Sequence, residues 1–370
     1  MDYINACFLD AVLKDRYMWF FDNRVQALCK MNMDNYEMEL VALYGAKEKF
    51  HVRKIFLIQD KFFLTTGDSA KVLIFDQSIF SLREPFRRGS SETYMAVSWK
   101  NTIYFWPESL ENEMICFDTS TQEYVHKSLQ KVPVNEKIGV QKQRIGFSSL
   151  YEGAVWFVIQ GTSWYGRYGL SEGAIQWFQS ENQALLLSGI CFDGEHIWLT
   201  QQNSGIITCV GKESMEVFDE QINAWIYNTS KYILIPPRYG NQVILIQKHN
   251  FKVSVVKLPA FAIHDTKTDR QDLDSNIINC CEAGDSIFLF QHGIRELLIL
   301  HKDTLETKRL RLKCKNYKEN CLKGEKVLLN EDSDVGLQDL ILQSSHRIAS
   351  MNKGKREVAE SIWNELEAWN

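Results

Sequence analysis

Arg24, Arg167, Arg238 and His292 are the residues of this chain whose types and spacing point most directly to chemistry. Each falls in a connection of the same kind, so the four can converge on a common opening. Three guanidiniums and an imidazole there can hold a carboxylate or phosphate by charge-assisted hydrogen bonds. They can equally be scattered surface charges beside Asp22, Asp68 and Glu108. His292 is the one candidate for acid–base catalysis. Glu108 and Glu111 do not read as a catalytic pair, because two carboxylates need a defined separation across a cleft that loop spacing does not supply. Cys314 and Cys321 are two thiols where a structural zinc site takes about four ligands, so no metal and no cofactor is expected.

A second group has the composition of a contact surface. Trp164, Tyr165, Arg167 and Tyr168 crowd a stretch punctuated by Gly161, Gly166 and Gly169, with Trp106, Arg238 and Tyr239 in equivalent stretches. Tryptophan, tyrosine and arginine carry much of the energy of protein interfaces. The alternative is that the aromatics cover the end of a core.

These residues hang on a repeat. Short apolar strands recur in groups of four, and the second strand of each group carries an anchor: Trp19, Phe63, Tyr104, Trp156, Trp198, Ile233 and Phe288. The anchors lie 44, 41, 52, 42, 35 and 55 residues apart, about the 40–50 residue period of propeller blades. Runs that short, aromatic and β-branched, bounded by turn formers, read as strands. No four-stranded unit buries both its faces alone, whereas seven stacked about an axis do. The expected fold is all-β: a seven-bladed β-propeller of four-stranded antiparallel blades over residues 1–314. A C-terminal extension, 315–370, carries a short amphipathic α-helix, with Val358, Ile362, Trp363, Leu366 and Trp369 on one side. That helix packs back on the propeller or docks a partner. The N-terminus reads as entering the first blade directly, so ring closure borrows no C-terminal strand; Val327 to Leu329 is the candidate otherwise.

Parity then divides the connections. In an up-and-down blade the first-to-second and third-to-fourth turns share one face, and the other two classes share the opposite face. The first class is tight, as at Gln59-Asp60, Lys100-Asn101, Glu152-Gly153 and Asp193-Gly194. Every long excursion (85–92, 130–143, 160–173 and 259–276) belongs to the second. Binding residues concentrate on loops held by a rigid scaffold, so the elaborated face is the expected working surface.

Composition sets outer limits. Net charge is −5, without the basic field of a nucleic-acid binder. No apolar run approaches the ~18 residues of a membrane span, and no cleavable leader is apparent. Nine cysteines, most of them on first or third strands, read as free packing residues in a reducing cytoplasm.

The stretch from Asp193 to Thr200, with Gly205-Ile206-Ile207 after it, resembles one blade of the bacterial streptogramin-lyase-like propellers and of sensor-type propeller repeats. The Phe75-Asp76 and Phe117-Asp118 turns are similar to kelch repeats. The likeness spans about residues 5–314 but is confined to the blade motif. Thr65-Thr66 and Phe105-Trp106 stand where kelch has a glycine doublet, and no Trp-Asp pair closes the third strands. No catalytic residue of the lyases transfers to this chain. The reading is therefore a non-catalytic propeller that binds a protein or peptide through its long-loop face, as scaffold or accessory subunit. A lyase or hydrolase at the channel mouth, or a small-molecule or glycan sensor, are the alternatives.

Overall fold

The computed structural model describes residues 2–3, 8–23, 25–45, 50–67, 69–85, 94–130, 144–183, 185–201, 204–212, 215–216, 225–236, 242–259, 277–291 and 296–314. They form seven antiparallel blades whose inner strands are Ala11–Lys14, Val52–Ile58, Tyr94–Trp99, Ser149–Tyr151, Leu187–Phe192, Tyr227–Asn228 and Ile277–Ala283. All seven anchors sit on second strands, as expected. The described residues contain no helix, and the helix expected near the C-terminus lies outside them, with the rest of 315–370.

The core is distributed over seven seams. Side chains alternate across a strand, so each second strand serves two neighbours. Val155 and Phe157 pack toward the third blade, while Trp156 and Val158 pack toward the fifth. On the last blade, Ile287 and Leu289 face the sixth, and Phe288 and Phe290 face the first. The seam between last and first blades is as dense as the others, with Phe8 stacked on Phe20 at 4.1 Å and edge-on to Phe290 at 5.4 Å. Continuous alternation of apolar residues therefore closes a ring.

The turns explain the spelled motifs. In the fifth blade one Asp193 oxygen accepts the amides of Glu195 and His196 at 2.9 and 2.7 Å, and the other accepts the indole N–H of buried Trp198 at 2.8 Å. This turn fixes the anchor as well as reversing the chain. Gln59 and Asp60 both adopt positive φ (49° and 64°), the backbone that matches the twist of a two-residue hairpin.

Two expectations are corrected. In the fourth blade Trp164–Gly169, expected within the long connection 160–173, is the third strand, and the outer strand is Ala174–Gln179. Glycines and an arginine gave this stretch the composition of a loop. Its alternation nevertheless suits a strand, and Gly166 is needed because a Cβ there would lie 2.6 Å from the Phe157 ring.

Ring closure also differs. The N-terminal strand, Asp2–Tyr3, belongs to the rim rather than to the inside of the first blade. A closing strand, Lys313–Cys314, follows the last blade and pairs in parallel with the first blade's outer strand, Glu37–Leu43. The N-terminal strand pairs antiparallel outside it, making a six-stranded sheet. Val327 to Leu329 lies outside the described residues. Closure at the rim follows from buried Leu312 and Cys314, which join the apolar cluster of the last seam.

Candidate functional site: the long-loop face and channel mouth

Strand order gives the disc two unlike faces. Every first-to-second and third-to-fourth connection spans two to five residues, from 15–16 in the first blade to 302–306 in the last. The opposite face carries all the longer ones, among them 84–93, 128–148, 217–226 and 258–276. The sidedness expected from the sequence is present in the strand bounds, except that 160–173 is no long connection: it holds the strand Trp164–Gly169 and the plain-face turn 170–173.

On the elaborated face a short segment, 144–148, ties three blades together. The Ile145 amide donates to the Glu108 carbonyl in the third blade at 2.6 Å. Gly146 donates to Val158 at 2.9 Å, and Gln160 donates to Arg144 at 2.8 Å, both in the fourth blade. The Phe147 amide donates to Ser188 at 2.9 Å, and Phe147 accepts from Ile190 at 3.2 Å, both in the fifth. The Arg144 guanidinium lies 3.7 Å from the exposed Glu108 carboxylate. Gly146 is obligatory in this path, since a Cβ would lie 2.4 Å from the Ser188 carbonyl oxygen and 2.6 Å from Val158. Backbone bonding on this scale makes a fixed surface. Leu186 stands on it, 51% exposed between buried Leu185 and Leu187. Leu187 bonds to Gly161 and Thr162 in the fourth blade's second-to-third connection.

At the channel mouth, four side chains from four inner strands or their lead-ins come together. Asp10, just before the first blade's inner strand, accepts the Ile55 amide at 3.0 Å and the Asn279 side-chain amide. Lys54 Nζ is 3.7 Å from the same carboxylate. Burial raises the Asp10 carboxyl above its ordinary value, against the lowering effect of Lys54 and of the amides that bond to it. Tyr227, in the sixth blade, packs edge-on to Phe147 at 5.5 Å. Its buried hydroxyl has no hydrogen-bond partner among the described residues. Burial, then the nearness of Cys280 and Asp10, holds that hydroxyl well above the ordinary phenol value. Three donors on a buried carboxylate make a clasp between blades. Asp10 is thereby tied to the second blade through Ile55 and Lys54 and to the last through Asn279.

The sequence-predicted residues distribute unevenly. Tyr165 stacks on Phe178 at 5.3 Å, Tyr168 lies 5.3 Å from Trp106, and all three named site residues are buried in seams. Arg167 pairs with Glu172 at 3.2 Å, beside the tight turn at 170–173, and so lies toward the plain face. Trp164, partly buried, begins its strand at the long-loop end. Strand alternation, unlike a loop, sends successive aromatics into opposite seams, which is why the group does not present one surface. Arg24, Arg238, Tyr239 and His292 lie outside the described residues. Asp10, Lys54, Tyr227 and Asn279 were not singled out from the sequence. Their signal is a polar residue in or just before an inner strand, outside the second-to-third connections that carry the expected site residues. No group of three or more His, Cys, Asp or Glu among the described residues is arranged to hold a metal. Seven of the cysteines are described, each as a thiol outside any disulfide. Burial pushes the Cys191 thiol up to about 12 and Cys209 to about 11, so both pack as apolar groups.

Comparison with known proteins bears on the fold. No protein-family model matches the chain, and no curated protein matches its sequence. Among solved structures, virginiamycin B lyase from Staphylococcus aureus is similar at a TM-score of 0.55 and 14% identity, covering 78% of this chain and 92% of that one. The computationally designed Ika8 protein is similar at 0.55 and 8%, covering 85% and 89%. The WD40 repeats of RRP9 are similar at 0.50 and 11%, covering 78% and 88%. A lyase, a designed protein and a WD40 domain are each similar to this seven-bladed propeller, and at these identities the likeness concerns fold alone.

Proposed function

We propose that this propeller is a non-catalytic binding module that holds a protein or peptide on its long-loop face, as scaffold or accessory subunit. The observation that carries this reading is the sidedness of the connections. A scaffold selected only for closure has no need to place every long connection on one face. The bonded segment 144–148 adds to it, because a fixed surface loses little entropy when a partner docks. The contact centres on the fourth and fifth blades, with exposed Leu186, the Glu108–Arg144 pair and Trp164 at the strand end all on the long-loop face. Arg24, Arg238 and Tyr239 lie outside the described residues and are included in the proposed surface from their sequence positions alone. His292 is included on the same ground. The described thiols, none of them in a disulfide, suit a reducing compartment, and the proposed location is the cytoplasm.

Affinity purification of the tagged full chain tests the reading by comparing Leu186→Glu and Arg144→Glu with Asp60→Lys on the plain face. The expected result is loss of the same co-purifying species from the first two variants and its retention by the third. Equal recovery from all three would contradict the proposal.

A further inference from the structure

The inner strands of the second and last blades each carry one extra residue, Arg53 and Ile278, where their pairing with the next strand shifts register. Bulges of this kind re-aim side chains and gather beside functional sites. Here the side chains that follow them, Lys54 and Asn279, both reach the Asp10 carboxylate at the channel mouth. Arg53 itself is exposed. Its side chain runs across Gly67, in the second-to-third connection of the same blade. A Cβ on Gly67 would lie 2.9 Å from the guanidinium carbon, and closer still to Cδ and Nε. The glycine thus makes the room in which the arginine lies.

The charges at this place do not balance. Arg53 and Lys54, set against the one Asp10 carboxylate, leave a single positive charge among the described side chains there. Lys54 keeps 34% of its side chain exposed, 3.7 Å from Asp10. The Tyr227 hydroxyl, near Asp10, is buried without a hydrogen-bond partner among the described residues, where a buried phenol ordinarily has one.

We propose that the channel mouth is a carboxylate-binding site, in which Arg53 and Lys54 hold the anion and Tyr227 donates to a second oxygen of the same ligand. The planar fork of a guanidinium matches a carboxylate. One net positive charge is neutralised by a monoanion, whereas a phosphate dianion would meet the Asp10 carboxylate. A small hydroxy acid and the free C-terminus of a peptide share this chemistry. The site does not depend on the protein-docking reading, because its residues belong to the second, sixth and last blades and not to the surface around Leu186.

Isothermal titration of the full-length protein tests it, with four probes: lactate, a tetra-alanine peptide with a free C-terminus, the same peptide amidated, and inorganic phosphate. The expected result is saturable binding of lactate or of the free-acid peptide at millimolar concentration or below, with neither the amide nor phosphate bound. Which acid binds identifies the source of the carboxylate. Arg53→Gln and Tyr227→Phe each remove a donor and are expected to weaken binding about tenfold or more. Gly67→Ala keeps every charge but displaces the guanidinium, and is expected to do the same. Lys231→Gln, on the plain face, should bind as wild type does. Absence of saturable binding by both acids would overturn the proposal. So would undiminished binding by Arg53→Gln or Tyr227→Phe, or binding of phosphate in preference to either acid.

Discussion

Asn279, on the inner strand of the last blade, donates its side-chain amide to Asp10, at the foot of the first blade, across 269 residues of sequence. Asp10 also takes the Ile55 amide of the second blade. One carboxylate thus joins three blades beside the channel, while Lys313–Cys314 closes the same ring at the rim. Closure at two radii explains how the last seam comes to be packed like the other six.

Removing the inner clasp is expected to destabilise the whole ring. Asn279→Ala leaves a buried carboxylate short of a donor, a loss of about 1.5–3 kcal/mol for a hydrogen bond to a charged group. Equilibrium denaturation in urea measures it; an unchanged midpoint would mean that the rim closes the ring unaided.

The pH dependence of the clasp has a definite sign. Burial raises the Asp10 carboxyl above its ordinary value. A group whose folded value is raised contributes fully below its unfolded value, and that contribution is lost as pH rises through the folded value. Wild type is therefore expected to gain stability relative to Asp10→Asn as pH falls from neutral toward the ordinary carboxylate range. Glu282 runs the other way. Burial raises it, but the Ser230 hydroxyl and amide and Lys302 outweigh burial and lower it. Relative to Glu282→Gln, wild type is expected to lose stability as pH falls through the lowered folded value. Denaturation at matched pH values reads both gaps, and two gaps moving in the same direction would contradict the assignment.

Glycine substitutions separate the seams from the long-loop face. Gly166→Ala drives a methyl into the Phe157 ring, an overpacking cost of about 1–3 kcal/mol. Gly146→Ala meets the Ser188 carbonyl, a backbone atom with little freedom to move. It is expected to break the Ile145–Glu108 and Phe147–Ser188 bonds and to speed amide exchange at 145–147. The blades' inner amides should keep their protection. Unaltered exchange at 145 and 147 would show that the segment is not fixed by those bonds.

The fold was legible because propeller blades repeat a local pattern. All seven anchors, from Trp19 to Phe288, could be placed by apolar alternation and turn residues alone. Trp164–Gly169 was not, because glycines that make room for Phe157 have the same composition as glycines that shape a loop. Asp10 and Asn279 were illegible for another reason: their pairing is set by ring closure, and nothing local to either residue records a partner 269 positions away. The sidedness of the connections was legible except at 160–173, where a strand and a plain-face turn stand in place of an expected long connection. Which residues stand on that face was legible in part. Alternation sent Tyr165 and Tyr168 into seams and left Leu186, an unremarked leucine, exposed.

The most direct measurement of the central claim is site-specific photo-crosslinking in the native cell, with a benzoylphenylalanine at position 186 on the long-loop face and another at position 60 on the plain face. The account predicts a discrete crosslinked species from position 186 and none of that species from position 60. The same species from both positions, or from position 60 alone, would contradict a propeller that works through its elaborated face.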